Sequence, residues 1–202
     1  MRPAWILMTI LAIYVAGTAL GGLVAPASRS EFMADVFARA PVATWLHLAG
    51  GSVALLTGAF QVSRSFRNRH RSLHRRLGAL YLLGVVVAGT AAFPLAASSV
   101  GDPVADAGFG VLAACWVATT LLGFRAMLRG DFVAHEGWMY RSYALALGAV
   151  TLRIYMPLSQ VAGIPFEEAY RVVAWLCWVP NLLIAERWFV HPVPDSARLR
   201  AN

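Results

Sequence analysis

Apolar residues in this chain gather into long stretches separated by short polar ones, at about residues 4–25, 42–62, 77–99, 104–128, 138–161 and 168–189. Each is close to the ~20 residues a helix needs to cross the hydrocarbon core of a bilayer. Backbone that cannot reach water must satisfy its own hydrogen bonds, and a helix does this within one segment. The pattern predicts an all-α polytopic membrane protein with six transmembrane helices, in one integral membrane domain over residues 1–202. The only longer connections are 26–41 and 63–76. Short connections make successive helices antiparallel neighbours, so helices two to five form a central four-helix bundle. In that bundle helices two and four are diagonal, and so are three and five.

Composition strengthens the assignment. Of the 202 residues, 59% are hydrophobic and 13% charged, too apolar a balance for a water-soluble domain of this size. The six runs leave no room for a separate soluble domain, and the chain has neither internal repeats nor low-complexity segments. The first run has an early arginine and ends in small residues, as a signal peptide does. Its apolar core exceeds the 7–15 residues usual for such peptides, so it is expected to be a retained helix.

The formal charge of +7, carried by 17 arginines and no lysine, resembles a nucleic-acid signal until the arginines are placed. Arg64, Arg67, Arg69, Arg71, Arg75 and Arg76 fall in one loop, and Arg125, Arg129 and Arg141 flank the fourth and fifth helices. Arg2, Arg187, Arg198 and Arg200 lie near the ends. The other side mixes Arg29, Arg39 and Arg171 with Glu31, Asp35, Asp102, Asp106, Glu167 and Glu168. The positive-inside rule then puts both termini and the arginine-rich loops in the cytoplasm, with lipid rather than nucleic acid as the partner.

Two start signals locate polar residues within the bundle. Ser72 precedes "LHRRLGALYLL" and Asp131 precedes "FVAHEGWMYRSYAL", each a candidate N-cap, and Gly130 suits the end of helix four. His74 and His135 then lie at matching depth near the inner face, on diagonal helices. Such a pair is suited to ligate a b-type haem from both sides, with Arg75, Arg76 and Arg141 in the layer of its propionates. The simpler use of two interfacial histidines is to snorkel to water beside the arginines. His70 and His191 sit in solvent-facing segments.

Toward the other face, His47 lies about 7 Å and Arg153 about 12 Å inside the ends of their helices. An arginine at that depth is costly and normally faces the bundle interior, pairs and marks a functional path. His47 and Arg153 form a candidate outer polar site, able to hold an anionic or carbonyl-bearing ligand such as a quinone, or to brace helix packing. Met156 could complete a histidine–methionine haem centre only with helix five suitably turned. Gln61, Tyr81, Ser142 and Tyr143 could line an inner site. Gly50, Gly51, Ser52, Gly58, Gly78, Gly84, Ala88 and Gly89 suit either close helix packing or the passage of a flat ring. Cys115 and Cys177 are expected to be inert packing residues, and Pro180 to kink helix six. No P-loop, serine elbow, HExxH or cysteine-pair motif is present.

The segments "HLAGGSVALLTGAFQ", "HRRLGALYL" and "HEGWMYRSYALALGAVTLRIYMP" resemble a family of bacterial integral membrane proteins catalogued as domain of unknown function 2306, over about residues 45–187. The resemblance implies a bacterial inner membrane location. It also puts His47, His74, His135, Trp138, Arg141 and Arg153 at motif positions, which favours a shared site. More loosely, the chain is similar to the ascorbate-reducible transmembrane cytochromes b, whose central four helices hold two haems between diagonal pairs. His74 and His135 match that plan for one haem; the other needs a histidine on helix four, and this chain has none. The expectation is a haem b protein of electron transfer, if an enzyme then a membrane oxidoreductase, working with a quinone or a redox partner protein. The alternative is a haem-free small-molecule transporter or an assembly or scaffold subunit of a membrane complex.

Overall fold

A computed structural model describes residues 3–97 and 102–190, and among these the regular structure is entirely helical. The elements are α1 (Pro3–Val24), α2 (Glu31–Arg39), α3 (Pro41–Gln61), α4 (Arg64–Arg69), α5 (Arg71–Ala96), α6 (Pro103–Leu128), α7 (Phe132–Ala146), α8 (Gly148–Val161), α9 (Phe166–Leu176) and α10 (Val179–Ala185), followed by a π-helical turn, Glu186–Val190. Six helical spans are long and apolar enough to cross a membrane: α1, α3, α5, α6, the joined α7 and α8, and α9 through residue 190. The protein is a multi-pass membrane protein. Arg2, His191, Arg198 and Arg200 lie outside the described residues.

Local chemistry sets the ends of the helices. The Asp102 carboxylate accepts from the backbone N–H groups of Val104 and Ala105 (2.8 and 3.3 Å), and Pro103 follows it, where a missing N–H is harmless. Asp131 caps α7 as the sequence suggests, accepting from Ala134 N–H at 3.0 Å, and Gly130 before it takes the left-handed φ of +75°. Ser72, in contrast, is no cap: α5 starts at Arg71, with His70 at the boundary and no side-chain bond. The third and fifth spans therefore begin about six residues before their apolar runs do, because a helix carries its arginine-rich or polar first turns out of the bilayer. The two longer connections also contain helices, α2 and α4, each capped by a serine, Ser30 or Ser63.

Helices α3, α5, α6 and α7 surround a common axis in that order. Helix α1 packs outside α3, α9 packs on α6 and α8, and α10 lies against α7. The α3–α5 seam is a backbone contact: a Cβ on Gly50 would lie 2.8 Å from Gly84 O, and one on Gly84 would lie 2.8 Å from Gly50 O. Gly58 has a different use. Its missing side chain admits the ring of Tyr143, with Tyr81 beside it. Gly51 faces open space.

The last two spans are interrupted, and their interruptions meet. Helix α7 gives way to α8 at Leu147, and α9 to α10 at Cys177–Trp178. Pro180 explains the second break, since its ring excludes the carbonyl of Leu176 and it offers no N–H. At the break the Cys177 carbonyl accepts from the Thr151 hydroxyl and from Asn181 Nδ2 (3.0 Å), and Asn181 also donates to Thr151 (3.2 Å). A Cβ on Gly148 would sit 3.4 Å from Trp178 Cβ and 3.7 Å from Cys177 O, so the two breaks cross at van der Waals distance.

Candidate functional site

Histidines 74 and 135 are each the fourth residue of their helix, α5 and α7. Neither helix packs extensively on the other, since α3 and α6 lie between them as neighbours of both. The two histidines therefore stand on diagonal helices in corresponding turns, within electrostatic reach of one another, and His74 is also within reach of Arg67. His135 Nδ1 lies 2.9 Å from Gly123 O. A carbonyl only accepts, so Nδ1 carries the proton and Nε2 keeps its lone pair. Gly123 can offer its carbonyl because it lacks a side chain where Met139 and Trp138 press on α6.

The His74 side has polar atoms without partners. His74 Nδ1 is buried and makes no hydrogen bond among the described residues, and neither does Gln61 Nε2. Both belong to the same end of the bundle, because Gln61 Oε1 would lie 3.4 Å from a Cβ on Gly78, one turn above His74. A buried polar group left unpaired costs about 1–3 kcal/mol. Two such groups at the end that holds the histidine pair are the feature that packing alone does not account for.

Deeper in the bundle a set of hydroxyls satisfies one another, although the buried Trp116 Nε1 beside them makes no hydrogen bond among the described residues. Ser142 Oγ lies 2.7 Å from Tyr81 OH and 2.6 Å from Thr120 Oγ1, and Thr120 donates back to Trp116 O at 2.7 Å. Tyr143 OH donates to Leu55 O at 3.2 Å. Tyr81 and Ser142 are fully buried and tie α5, α6 and α7 together. The ladder closes the floor of the histidine end: Tyr81 stands seven residues above His74, about 10 Å along the helix. Thr120 escapes a reading of the sequence because a threonine in an apolar helix looks like ordinary self-bonded packing. Only the neighbouring Ser142 gives it a role.

Arginines expected beside the histidines divide in two. Arg141 is committed to Glu186, with Nε to Oε1 at 2.5 Å and Nη2 to Oε2 at 2.9 Å, and it lies over the Trp138 ring at 4.5 Å. This fork clamps the last span onto α7, so Arg141 is not a spare cation at the histidine end. Arg75 and Arg76 are exposed at the level of His74. Glu136 is a second hub, accepting from Arg64 and Arg67 at 3.2 Å and from Tyr140 at 2.9 Å. It fastens the arginine-rich connection to α7.

The two members of the outer pair hydrogen-bond to different carbonyls. His47 Nδ1 donates to Ala88 O at 3.0 Å, across the close α3–α5 seam. Arg153 donates to Ala149 O of its own helix at 3.2 Å and lines a cleft under α1 and α2. The two interact through space without a hydrogen bond. Met156 packs on the hydrophobic core, and Cys115 and Cys177 are free thiols. Among the described residues no group of three or more His, Cys, Asp and Glu side chains could hold a metal ion.

Residues 44–189 match the family described as Predicted membrane protein (DUF2306). The chain belongs to that family. The match runs from the first turn of α3 into the π-helical turn, so His47, His74, His135, Arg141, Arg153 and Glu186 lie in the family segment, while α1 and α2 lie wholly outside it. No curated protein and no solved structure matches this DUF2306 chain, so no relative ties it to the ascorbate-reducible cytochromes b.

Proposed function

We propose that this DUF2306 protein is a membrane b-type haem protein of electron transfer, with His74 and His135 as axial ligands. The observation that carries the reading is the histidine pair itself. Two histidines stand in corresponding turns of diagonal helices, one with Nδ1 anchored to a carbonyl so that Nε2 is available, the other with its buried Nδ1 unpaired among the described residues. An Nδ1–H held by a carbonyl is the support that orients metal-bound histidines and raises their basicity. Arg75 and Arg76 supply exposed cations at the same level for propionates. A haem bound there would supply one-electron chemistry at a six-coordinate centre. The chain's own part would be to hold the His135 ring through Gly123 O, offer His74 from the diagonal helix, and close the site toward the bilayer centre with the Tyr81–Ser142–Thr120 ladder. A quinone or a redox partner protein is the electron partner of this reading. Both termini lie in the cytoplasm of a bacterial inner membrane, from the arginine distribution.

The test is a dithionite-reduced minus oxidised absorption spectrum of detergent-purified protein from haem-sufficient cells. A b-type signal lost in His135→Ala and His74→Ala is expected; absence of any Soret band in the wild type overturns the reading.

A haem-free carrier or scaffold is the second reading. One observation favours it: two interrupted spans cross at Gly148 and Cys177, as the broken helices of transporters do. The Cys177 carbonyl at that break is already taken by Thr151 and Asn181, which makes the crossing a closed joint rather than an open ligand site.

A further inference from the structure

At the face opposite the arginine-rich connection, α1, the turn after it and α2 enclose a cleft of about 190 Å³ against α3 and α8. Its wall carries two guanidinium groups, Arg29 and Arg153, and no carboxylate. Thr18 and Ser28 add hydroxyls, and Ala19 and Leu48 make one side apolar. Of the five N–H donors of each arginine, few are used. Arg29 Nε donates to Gly22 O at 2.7 Å while its Cζ rests 3.6 Å above the Phe37 ring, and Arg153 Nη1 donates to Ala149 O.

Neither arginine belongs to an ion pair among the described residues. The nearest acids in sequence are not in the cleft: Asp35 is held by Arg39 at 2.5 Å, and Glu31 does not line it. The other polar rings in the field of Arg153 are His47 and the Tyr14 phenol, and neither is a carboxylate. Two half-buried cations at the edge of a bilayer with no counter-charge make a costly arrangement that a bound anion relieves. Arg29 is moreover pre-oriented: the carbonyl and the ring beneath fix its plane, so little freedom is lost when a ligand arrives.

We propose that this cleft is a binding site for an oxyanion, a phosphate or carboxylate gripped between Arg29 and Arg153. The volume equals that of about six waters of bulk liquid, ample for one such group. The apolar wall suits the first carbons of an attached chain, so the anion comes either as the headgroup of an anionic amphiphile or as a free ion. This does not rest on the haem reading, since it uses none of the same residues.

The test uses full-length protein in neutral detergent, with dioleoylphosphatidylglycerol, dioleoylphosphatidylcholine and sodium phosphate as probes. Native mass spectrometry counts retained lipid, and the thermal midpoint reports protection. One tightly held phosphatidylglycerol is expected, with no equivalent phosphatidylcholine. Its affinity falls about tenfold or more in Arg29→Gln and in Arg153→Gln, the loss of one charge-assisted contact, and is unchanged in Arg69→Gln at the other face. Protection by sodium phosphate alone, with the same dependence on the arginines, supports the site and assigns it to the free ion. Phosphatidylglycerol bound equally by wild type and both variants, or no response to either anionic probe, overturns the proposal. Should Arg153→Gln fail to fold, Arg29→Gln decides it, because Arg29 lies in a turn between helices.

Discussion

Gly50 and Gly51 are adjacent in α3, yet alanine should have opposite effects at the two positions. A Cβ at Gly50 would lie 2.8 Å from Gly84 O, 3.1 Å from Ala88 N and 3.2 Å from Ala88 Cβ. The first two are backbone atoms of α5, which cannot turn aside as a side chain could. Relief therefore requires the helices to separate by about half an ångström along the whole seam, and overpacking of this kind costs about 1–3 kcal/mol. Alanine also gains about 0.5–1 kcal/mol over glycine inside a helix. The net for Gly50→Ala is a destabilisation of about 1–2 kcal/mol. At Gly51 nothing lies within 4 Å, so only the helical gain operates and Gly51→Ala is neutral or stabilising by up to about 1 kcal/mol. Unfolding in mixed micelles of mild detergent and dodecyl sulfate, followed by circular dichroism, measures both variants against wild type. Equal effects at the two positions, or a Gly51→Ala that is the worse of the two, would refute the claim that backbone contact holds α3 to α5.

Two further outcomes follow from polar contacts. Ser142→Ala removes the hub between Tyr81 and Thr120 and takes from the buried Tyr81 hydroxyl its partner, while Thr120 keeps its bond to Trp116 O, a loss of about 1–3 kcal/mol in the same unfolding assay; adding Tyr81→Phe should then cost less than it does in wild type, and strict additivity would count against the ladder. Arg171 donates to Asp102 and holds that carboxyl below its ordinary value, with the N-cap bonds from Val104 and Ala105 helping. Because the folded pKa is lowered, this contribution is fully present above about pH 4, the unfolded carboxylate value, and is lost as the pH falls through the lower folded one. The thermal midpoint of the wild type should fall below pH 4 by more than that of Asp102→Asn, and parallel acid limbs would contradict the assignment.

The sequence determined the membrane class, the number of spans and the place of His135 within its helix, because each depends on local properties. A run of about 20 apolar residues has no stable place outside lipid, and the place of His135 follows from its distance to the helix start. Asp131 with Gly130 placed the start of α7 correctly for the same reason. The start of α5 was misjudged at Ser72, since a helix beginning in an arginine-rich stretch outside the bilayer has no apolar run to mark it.

What only the tertiary structure decided are the partnerships between helices distant in sequence. Arg141 looked like a cation for the histidine end, and Glu186, 45 residues later, takes it. His47 and Arg153 looked like one outer site, and the α3–α5 seam claims the first while a cleft under α2 exposes the second beside Arg29. Thr120 looked like self-contained packing, and Ser142 makes it part of a ladder across α5, α6 and α7. The amino-acid sequence sets the depth of a side chain through the regular rise of the helix. The direction it faces and the group it meets depend on how each helix is rotated about its own axis, and that is fixed by the simultaneous packing of all its neighbours.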